Sequence, residues 1–479
     1  MGKITRRSML GGVTGAIAAA SLPGQSVSGQ QDPTHFGLAD SGVIASTETP
    51  RTEGARTAWF QEAKFGMFIT WGPYSLVNVI PSWTIMDPNG GMEKAAMPPG
   101  GITEEEYVAL PKRFNPEKFN ADEIVELARL SGQRYITFVI KHHDGFCMYD
   151  SLYTNYKITK TPYGKDVTKQ LADACHKDGM ALAFYYSPPD MNHPAFRDTS
   201  KPAYTNWLGE PARPEWPIYL EYMRLQLTEL LTRYGKIVTL WFDGIHQQPE
   251  KLDGRRFMKL IQELSPDTLI NDRLGVGGYD FVTPENFVPN RIPIKGGGQM
   301  TRKDPNNSSI PKPDDFQLWE SCMAINNKNW SYNANDPKFM SAQDIIRTLI
   351  ECASKGGNLN LGVGPKPDGT IQVELRERLL ATGEWLRVNG DAIYGTTYGP
   401  IQGLKFARTT SKGKKVYVHV LDWPSAAMVL PSFGKKVIYV TLLANNQRLK
   451  FRQDTGSITI ELPKDALDPA ASVVVLETT

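Results

Sequence analysis

Ile237 to Gly244 reads IVTLWFDG, a short apolar run that ends in an acid. Apolar and β-branched residues in a run of this length, bounded by turn formers, read as a strand buried on both faces. Asp243 stands where that strand stops, at the mouth of the sheet or barrel where α/β enzymes keep their chemistry. An Asp before Gly is also an ordinary turn former that bonds its own backbone. The residues around it decide between catalyst and cap.

The same grammar recurs on either side. Strand-like runs at Lys64–Trp71, Tyr135–Ile140, Met180–Ser187, Thr268–Asp272, Phe316–Glu320 and Asn358–Val363 alternate with helical patterns at Ala121–Ala128, Val167–Asp178, Pro217–Tyr234, Arg255–Leu264 and Ala342–Lys355. Such alternation implies parallel βαβ units. No GxGxxG turn follows an early strand, so the pattern predicts an α/β fold of the TIM-type (β/α)8 kind, with seven strands visible, rather than an open doubly wound sheet. Residues 77–116, rich in Pro and Gly, form a long irregular loop of the functional or inserted kind. After Tyr398 the runs become short and alternating, which predicts a C-terminal antiparallel β-sandwich. The expected layout is a signal segment over 1–29, a linker over 30–56, a catalytic barrel over 57–396 and the sandwich over 397–479.

Composition excludes several classes. The 479 residues carry 53 Lys plus Arg against 51 Asp plus Glu, a balance without the basic surplus of a nucleic-acid binder. Thr5-Arg6-Arg7-Ser8-Met9-Leu10 precedes a modest apolar run and the small residues Ala18-Ala19-Ala20-Ser21. That is the pattern of a bacterial twin-arginine export signal, so the mature chain is expected in the periplasm or outside the cell. The run is too short to remain as a membrane span. Cleaving residues 1–29 removes Lys3, Arg6 and Arg7 and no acid, taking the formal net charge from +2 to −1. The four cysteines form no CxxC pair, and a chain this long does not need staples. Free, mostly buried thiols are expected.

Polar groups gather at successive strand ends: His142, His143 and Asp144; Tyr185 and Tyr186; Trp241 and Asp243; Asn271, Asp272 and Arg273; Trp319 and Glu320. In a barrel these ends converge on one face. No HExxH or spaced third ligand accompanies the histidines, so no metal and no cofactor is expected. Imidazoles bonding hydroxyls beside Trp faces suit a sugar. Glycoside hydrolysis needs two carboxyl groups. Asp243 is the first candidate. Glu285, in the loop after the Asn271-Asp272-Arg273 strand, competes with Asp280, Glu320 and Asp272 for the second.

Six stretches in order carry a resemblance: KFGMFITWGPYSL (64–76), KHHDGFCMYDS (141–151), LWFDG (240–244), INDRLG (270–275), WESC (319–322) and GGNLNLGVGPKPDGTI (356–371). Together they resemble family-29 glycoside hydrolases, the α-L-fucosidases, over about residues 58–395. The resemblance implies a barrel followed by a β-sandwich, and retaining hydrolysis of terminal α-L-fucosides without metal. It implies Asp243 as nucleophile, Glu285 as acid/base, and His142, His143, Trp241, Arg273 and one of Tyr185 or Tyr186 around the sugar. Trp83, Thr70, Trp319 and Glu320 complete the expected substrate contacts, with an oligosaccharide or polysaccharide as partner. Two positions depart from the family: Thr70 stands for the His of F-I-H-W-G, and Ser82-Trp83 for Glu-Trp. Exchanging an imidazole and a carboxylate for two hydroxyls alters recognition on one side of the ring. An α-L-galactoside or a sulfated or substituted fucoside is therefore the alternative substrate, and a non-catalytic glycan-binding barrel the alternative class.

Overall fold

The computed structural model describes residues 53–86, 101–244, 251–297, 300–302, 309–326, 329–335, 338–425 and 427–479. The expected export signal over 1–29 and most of the expected linker lie outside these residues. A helix at Glu53–Ala63 opens the described chain and spans the expected boundary between linker and barrel at 56/57.

Eight parallel strands follow: β1 (Phe65–Ile69), β2 (Tyr135–Lys141), β3 (Ala181–Tyr186), β4 (Thr239–Phe242), β5 (Leu269–Ile270), β6 (Phe281–Val282), β7 (Leu318–Ala324) and β8 (Asn358–Val363). They pair in the order β5-β4-β3-β2-β1-β8-β7-β6, and a parallel bridge between Asn271 and Phe281 joins the two ends of the series. The sheet is a barrel closed at that seam by one bridge. The eighth strand absent from the sequence reading is β6, two residues long and stopped by Pro284.

The helices begin where the caps are. Asn120 accepts from Glu123 N–H at 3.4 Å, Asp166 from Lys169 N–H at 2.9 Å, and Ser341 forms a capping box with Asp344. They run over Ala121–Leu130, Val167–Asp178, Trp216–Arg233, Gly254–Leu264, Ala342–Ser354 and Val373–Asn389. Inside the barrel, Phe68, Val139, Tyr185, Trp241, Leu269, Phe281 and Cys322 pack as one cluster, and Phe60 from the first helix joins it, its ring 4.7 Å from that of Phe281. All four cysteines are unpaired and buried.

The C-terminal strands are β9 (Thr397–Tyr398), β10 (Ala407–Lys412), β11 (Lys415–Val420), β12 (Ala427–Pro431), β13 (Val437–Leu442), β14 (Phe451–Gln453), β15 (Ser457–Glu461) and β16 (Ser472–Thr478). They form sheets ordered β13-β16-β11-β10-β9 and β12-β15-β14. Alternation along them turns Val416, Val418, Met428, Leu430, Ile458, Ile460, Val474 and Leu476 into a shared core. Each such side chain stabilises by about 1.5–3 kcal/mol on full burial. The sandwich is tied to barrel helices by hydrogen bonds from Arg347 Nε to Ala470 O (3.0 Å) and Trp385 Nε1 to Ala471 O (3.0 Å), and by the ion pair of Arg408 with Glu351.

Candidate active site

Asp243 is placed by its neighbours on both sides of β4. The Asn271 side chain continues the ladder past the strand's end, its Oδ1 accepting from Phe242 N–H (2.8 Å) and its Nδ2 donating to Phe242 O (3.0 Å). Beyond it Gly244 adopts φ +80, and a Cβ there would stand 2.9 Å from the His143 ring. The backbone can turn sharply under the imidazole only because this residue has no side chain. Gly244 N–H donates to Asp243 Oδ1 at 2.9 Å, so the capping geometry expected of Asp-Gly is present as well.

The remaining contacts of the Asp243 carboxylate come from other strand ends. Tyr185 OH donates to Oδ2 at 2.9 Å, Arg273 Nη1 donates to Oδ1 at 2.9 Å, and His143 Nε2 lies 3.8 Å from Oδ2. Burial would raise the Asp243 pKa, but Arg273 and His143 outweigh it and hold the carboxyl well below its ordinary range. The group is an anion throughout the working range of pH.

Glu285 reaches the same guanidinium, its Oε2 lying 2.9 Å from Arg273 Nη1. Because one nitrogen touches both acids at 2.9 Å, the two contacting oxygens are separated by no more than twice that distance. Glu285 is brought there by backbone pairing to β7: Cys322 N–H donates to Pro284 O (3.2 Å) and Asn286 N–H to Cys322 O (2.8 Å). Asn286 sits in the left-handed region at φ 55, and its Oδ1 accepts from Ala324 N–H at 3.0 Å. Trp330 Nε1 donates to Glu285 Oε1 at 3.2 Å. The Glu285 side chain is 41% exposed against 19% for Asp243, so Glu285 is the acid open to water.

The competing carboxylates are committed elsewhere. Asp280 pairs with Arg56 and accepts from Ile270 N–H (2.8 Å), and Asp272 accepts from Thr283 Oγ1 (2.8 Å). Glu320 accepts from Tyr135 OH (2.6 Å), Trp241 Nε1 (3.2 Å) and Asn360 Nδ2 (3.1 Å), and burial raises its pKa.

Among the expected sugar contacts, the structure brings His142, His143, Tyr185, Trp241, Arg273 and Trp83 around Asp243. The His142 ring stacks on Tyr185 (5.5 Å, 9°), Tyr185 on Trp241 (5.3 Å, 24°), Arg273 lies 4.6 Å over Trp241, and Trp83 meets His143 edge-on at 6.1 Å. His143 Nδ1 lies 2.6 Å from Ser187 Oγ, whose own hydroxyl donates to Pro189 O. Thr70 follows β1, with its N–H on Val363 O (3.1 Å), and is 2% exposed.

Three expected contacts are corrected. Strand residues alternate in direction, so Tyr186 faces away from Tyr185, its OH donating to Gln226 Oε1 at 2.9 Å under Lys141. By the same alternation Trp319 leaves the barrel and donates to Lys355 O at 3.1 Å. Glu320 does point inward but is spent within the barrel, holding the Trp241 indole from behind. Ser82 also differs from expectation, because its hydroxyl meets protein groups rather than the open mouth. Asn286, Trp330 and Ser187 stand beside these groups without being among the expected site residues; Asn286 and Trp330 lie in irregular segments with no periodic signal, and Ser187 is the residue directly after β3.

Comparison with known protein families matches residues 40–391 to the α-L-fucosidase model and 402–477 to the α-L-fucosidase C-terminal domain. An α-L-fucosidase from Branchiostoma floridae is 30% identical over 431 residues, covering 85% of this chain and 88% of its own. Among solved structures, α-L-fucosidase isoenzyme 1 from Paenibacillus thiaminolyticus is similar with a TM-score of 0.76 at 29% identity, covering 89% of this chain and 99% of its own. An α-fucosidase from Thermotoga maritima, solved with a mechanism-based inhibitor, gives 0.70 at 29% identity, covering 88% and 96%. The chain belongs to the α-L-fucosidase family, glycoside hydrolase family 29.

Proposed function

We propose that the protein removes terminal α-L-fucosyl residues from glycans with retention of configuration, through a covalent intermediate on Asp243. The observation that carries this reading is the shared Arg273 nitrogen. Its two 2.9 Å contacts bound the facing carboxylate oxygens below the ~6.5–9.5 Å that inverting enzymes leave for a water, and suit the ~5–5.5 Å of retaining ones.

In the first step Asp243 attacks the anomeric carbon while protonated Glu285 gives its proton to the departing oxygen. In the second, Glu285 takes a proton from water, which attacks the same carbon and releases Asp243 as the carboxylate. Arg273 and Tyr185 hold the nucleophile ionised and oriented, and Arg273 remains to balance Glu285 once Asp243 is esterified and neutral. Trp83 and the His142–Tyr185–Trp241 stack form the walls against which the sugar ring lies.

Residues 57–396 serve as the catalytic unit, the sandwich from 397 as its scaffold, and residues 1–29 as a twin-arginine signal that exports the enzyme. Thr70 offers neither imidazole nor carboxylate on its side of the mouth, which favours a second reading: the same chemistry on an α-L-galactoside or a substituted fucoside. Hydrolysis of aryl α-L-fucoside against the L-galactoside decides between them. Asp243→Ala is expected to lose at least ~10³-fold in kcat and to recover with azide; undiminished activity would remove Asp243 from the mechanism.

A further inference from the structure

Ser82 lies 0% exposed at φ 64, a conformation costly for a residue with a side chain. It closes a ring of hydrogen bonds. Its N–H donates to Tyr107 OH (2.9 Å), Tyr107 OH donates to Asp144 Oδ2 (2.7 Å), and Asp144 N–H donates back to Ser82 Oγ (2.7 Å). The remaining contact of Ser82 Oγ is His142 Nδ1, at 2.7 Å.

Donor accounting decides which atom carries the proton. A serine hydroxyl owns one hydrogen and can accept two. If His142 Nδ1 carried the proton, Ser82 Oγ would accept twice, and its own O–H would be buried with nothing to donate to. If Ser82 donates to His142 Nδ1, every donor in the ring is used, and unmade hydrogen bonds in buried positions are costly. We infer that Ser82 is a positioning residue that fixes His142 as the tautomer with a bare Nδ1 and a protonated Nε2, so that His142 meets the substrate as a hydrogen-bond donor.

The surroundings agree. Burial and the adjacent His143 hold His142 well below its ordinary pKa, keeping it neutral, so the tautomer is what sets its character. His142 is half-buried, and its ring is stacked on Tyr185, which bonds Asp243. With Nδ1 tied to Ser82, the opposite edge of the ring is the one left for a ligand oxygen. The strained backbone at Ser82 is retained because it aims Oγ at two partners at once.

This inference rests on the reading that His142 contacts the sugar, and its test separates the two. Nitrogen-15 spectra of histidine-labelled enzyme, with His142 assigned from the His142→Ala variant, report the tautomer without any substrate. A pyridine-like Nδ1 and a pyrrole-like Nε2 are expected. In kinetics, Ser82→Gly removes the hydroxyl while easing the left-handed backbone. It is expected to stay folded, to lower kcat/KM on aryl α-L-fucoside about tenfold, mainly through KM, and to cost nothing further in the His142→Ala background. Ser82→Ala, which keeps the backbone strain, should show the same coupling. A protonated Nδ1, or losses that multiply in the double variants, would overturn the assignment. A correct tautomer in an enzyme that hydrolyses no fucoside would instead count against the proposed substrate.

Discussion

Asn286→Ala perturbs Glu285, the carboxyl proposed as acid/base, without touching it. The substitution removes the acceptor for Ala324 N–H, leaving a partly buried donor unpaired at a cost of about 1–3 kcal/mol. It also asks Ala to hold φ 55, which costs an L-residue without a short polar side chain about 1–2 kcal/mol. The turn that presses Glu285 toward Arg273 therefore loses about 2–5 kcal/mol of local preference, enough to move Glu285 by a fraction of an ångström or more. A misplacement near 1 Å costs on the order of 10²-fold, within the ~10²–10⁴ that a general acid supplies. That loss is selective, because a departing oxygen that is already a weak base needs no proton. The assay is kcat/KM across aryl α-L-fucosides from dinitrophenyl to unsubstituted phenyl. The expected result is a fall of about 10²-fold at the poor leaving-group end and less than about threefold at the activated end. An equal loss along the whole series would mean that Asn286 supports the fold and not Glu285, and the reasoning would fail.

Tyr185→Phe deletes the phenol donor on Asp243 Oδ2, a charge-assisted bond worth about 1.5–3 kcal/mol, so kcat is expected to fall roughly 10- to 100-fold with the urea midpoint nearly unchanged. Glu320→Gln leaves one amide oxygen where two carboxylate oxygens accept from three donors, so its NH₂ faces either Tyr135 OH or the Trp241 and Asn360 N–H groups; it is expected to cost about 1–3 kcal/mol in urea unfolding, together with activity lost through a displaced Trp241. Burial, opposed by Tyr107 OH and Phe146 N–H, raises the Asp144 pKa from 3.8 to about 6. The folded state thus holds this proton more tightly than the unfolded one, and stability from this group is present at low pH and lost as pH rises from about 4 to about 6. Relative to Asp144→Asn, the wild type should lose about 2–2.5 kcal/mol between pH 4 and pH 7 in paired urea titrations; a pH-independent difference would contradict the buried carboxyl.

Much of this arrangement is legible in the residues themselves. The apolar runs ending in His142, Tyr185, Asp243 and Arg273 give both the strands and the face on which they converge, because buried parallel strands write themselves as continuous β-branched and aromatic stretches. The choice of Tyr185 over Tyr186 was also within reach, since period-two alternation along β3 sends only one of two neighbours inward, in register with Trp241. What escaped has local causes. Phe281–Val282 is too short a strand to show a period, and the helix at Glu53–Ala63 follows a Ser, Thr and Pro-rich stretch that masks its start. Ser82 and Asn286 owe their places to left-handed backbone, and Trp330 to side-chain contacts with the distant Phe68 and Glu285, neither of which leaves a pattern along the chain. Ser82 shows the limit most plainly. Its type suggests a hydroxyl offered to sugar, whereas its backbone turns that hydroxyl toward His142.

The proposed chemistry stands or falls on whether a bond forms between Asp243 and the sugar. Incubating the enzyme with 2-deoxy-2-fluoro-α-L-fucosyl fluoride slows the second step and allows the adduct to be mapped by proteolysis and mass spectrometry. The expected result is one fluorofucosyl group on the peptide that contains Asp243, together with α-L-fucose as the first product from an unmodified substrate. A label on another carboxylate, or β-L-fucose formed first with no label at all, would contradict the double displacement.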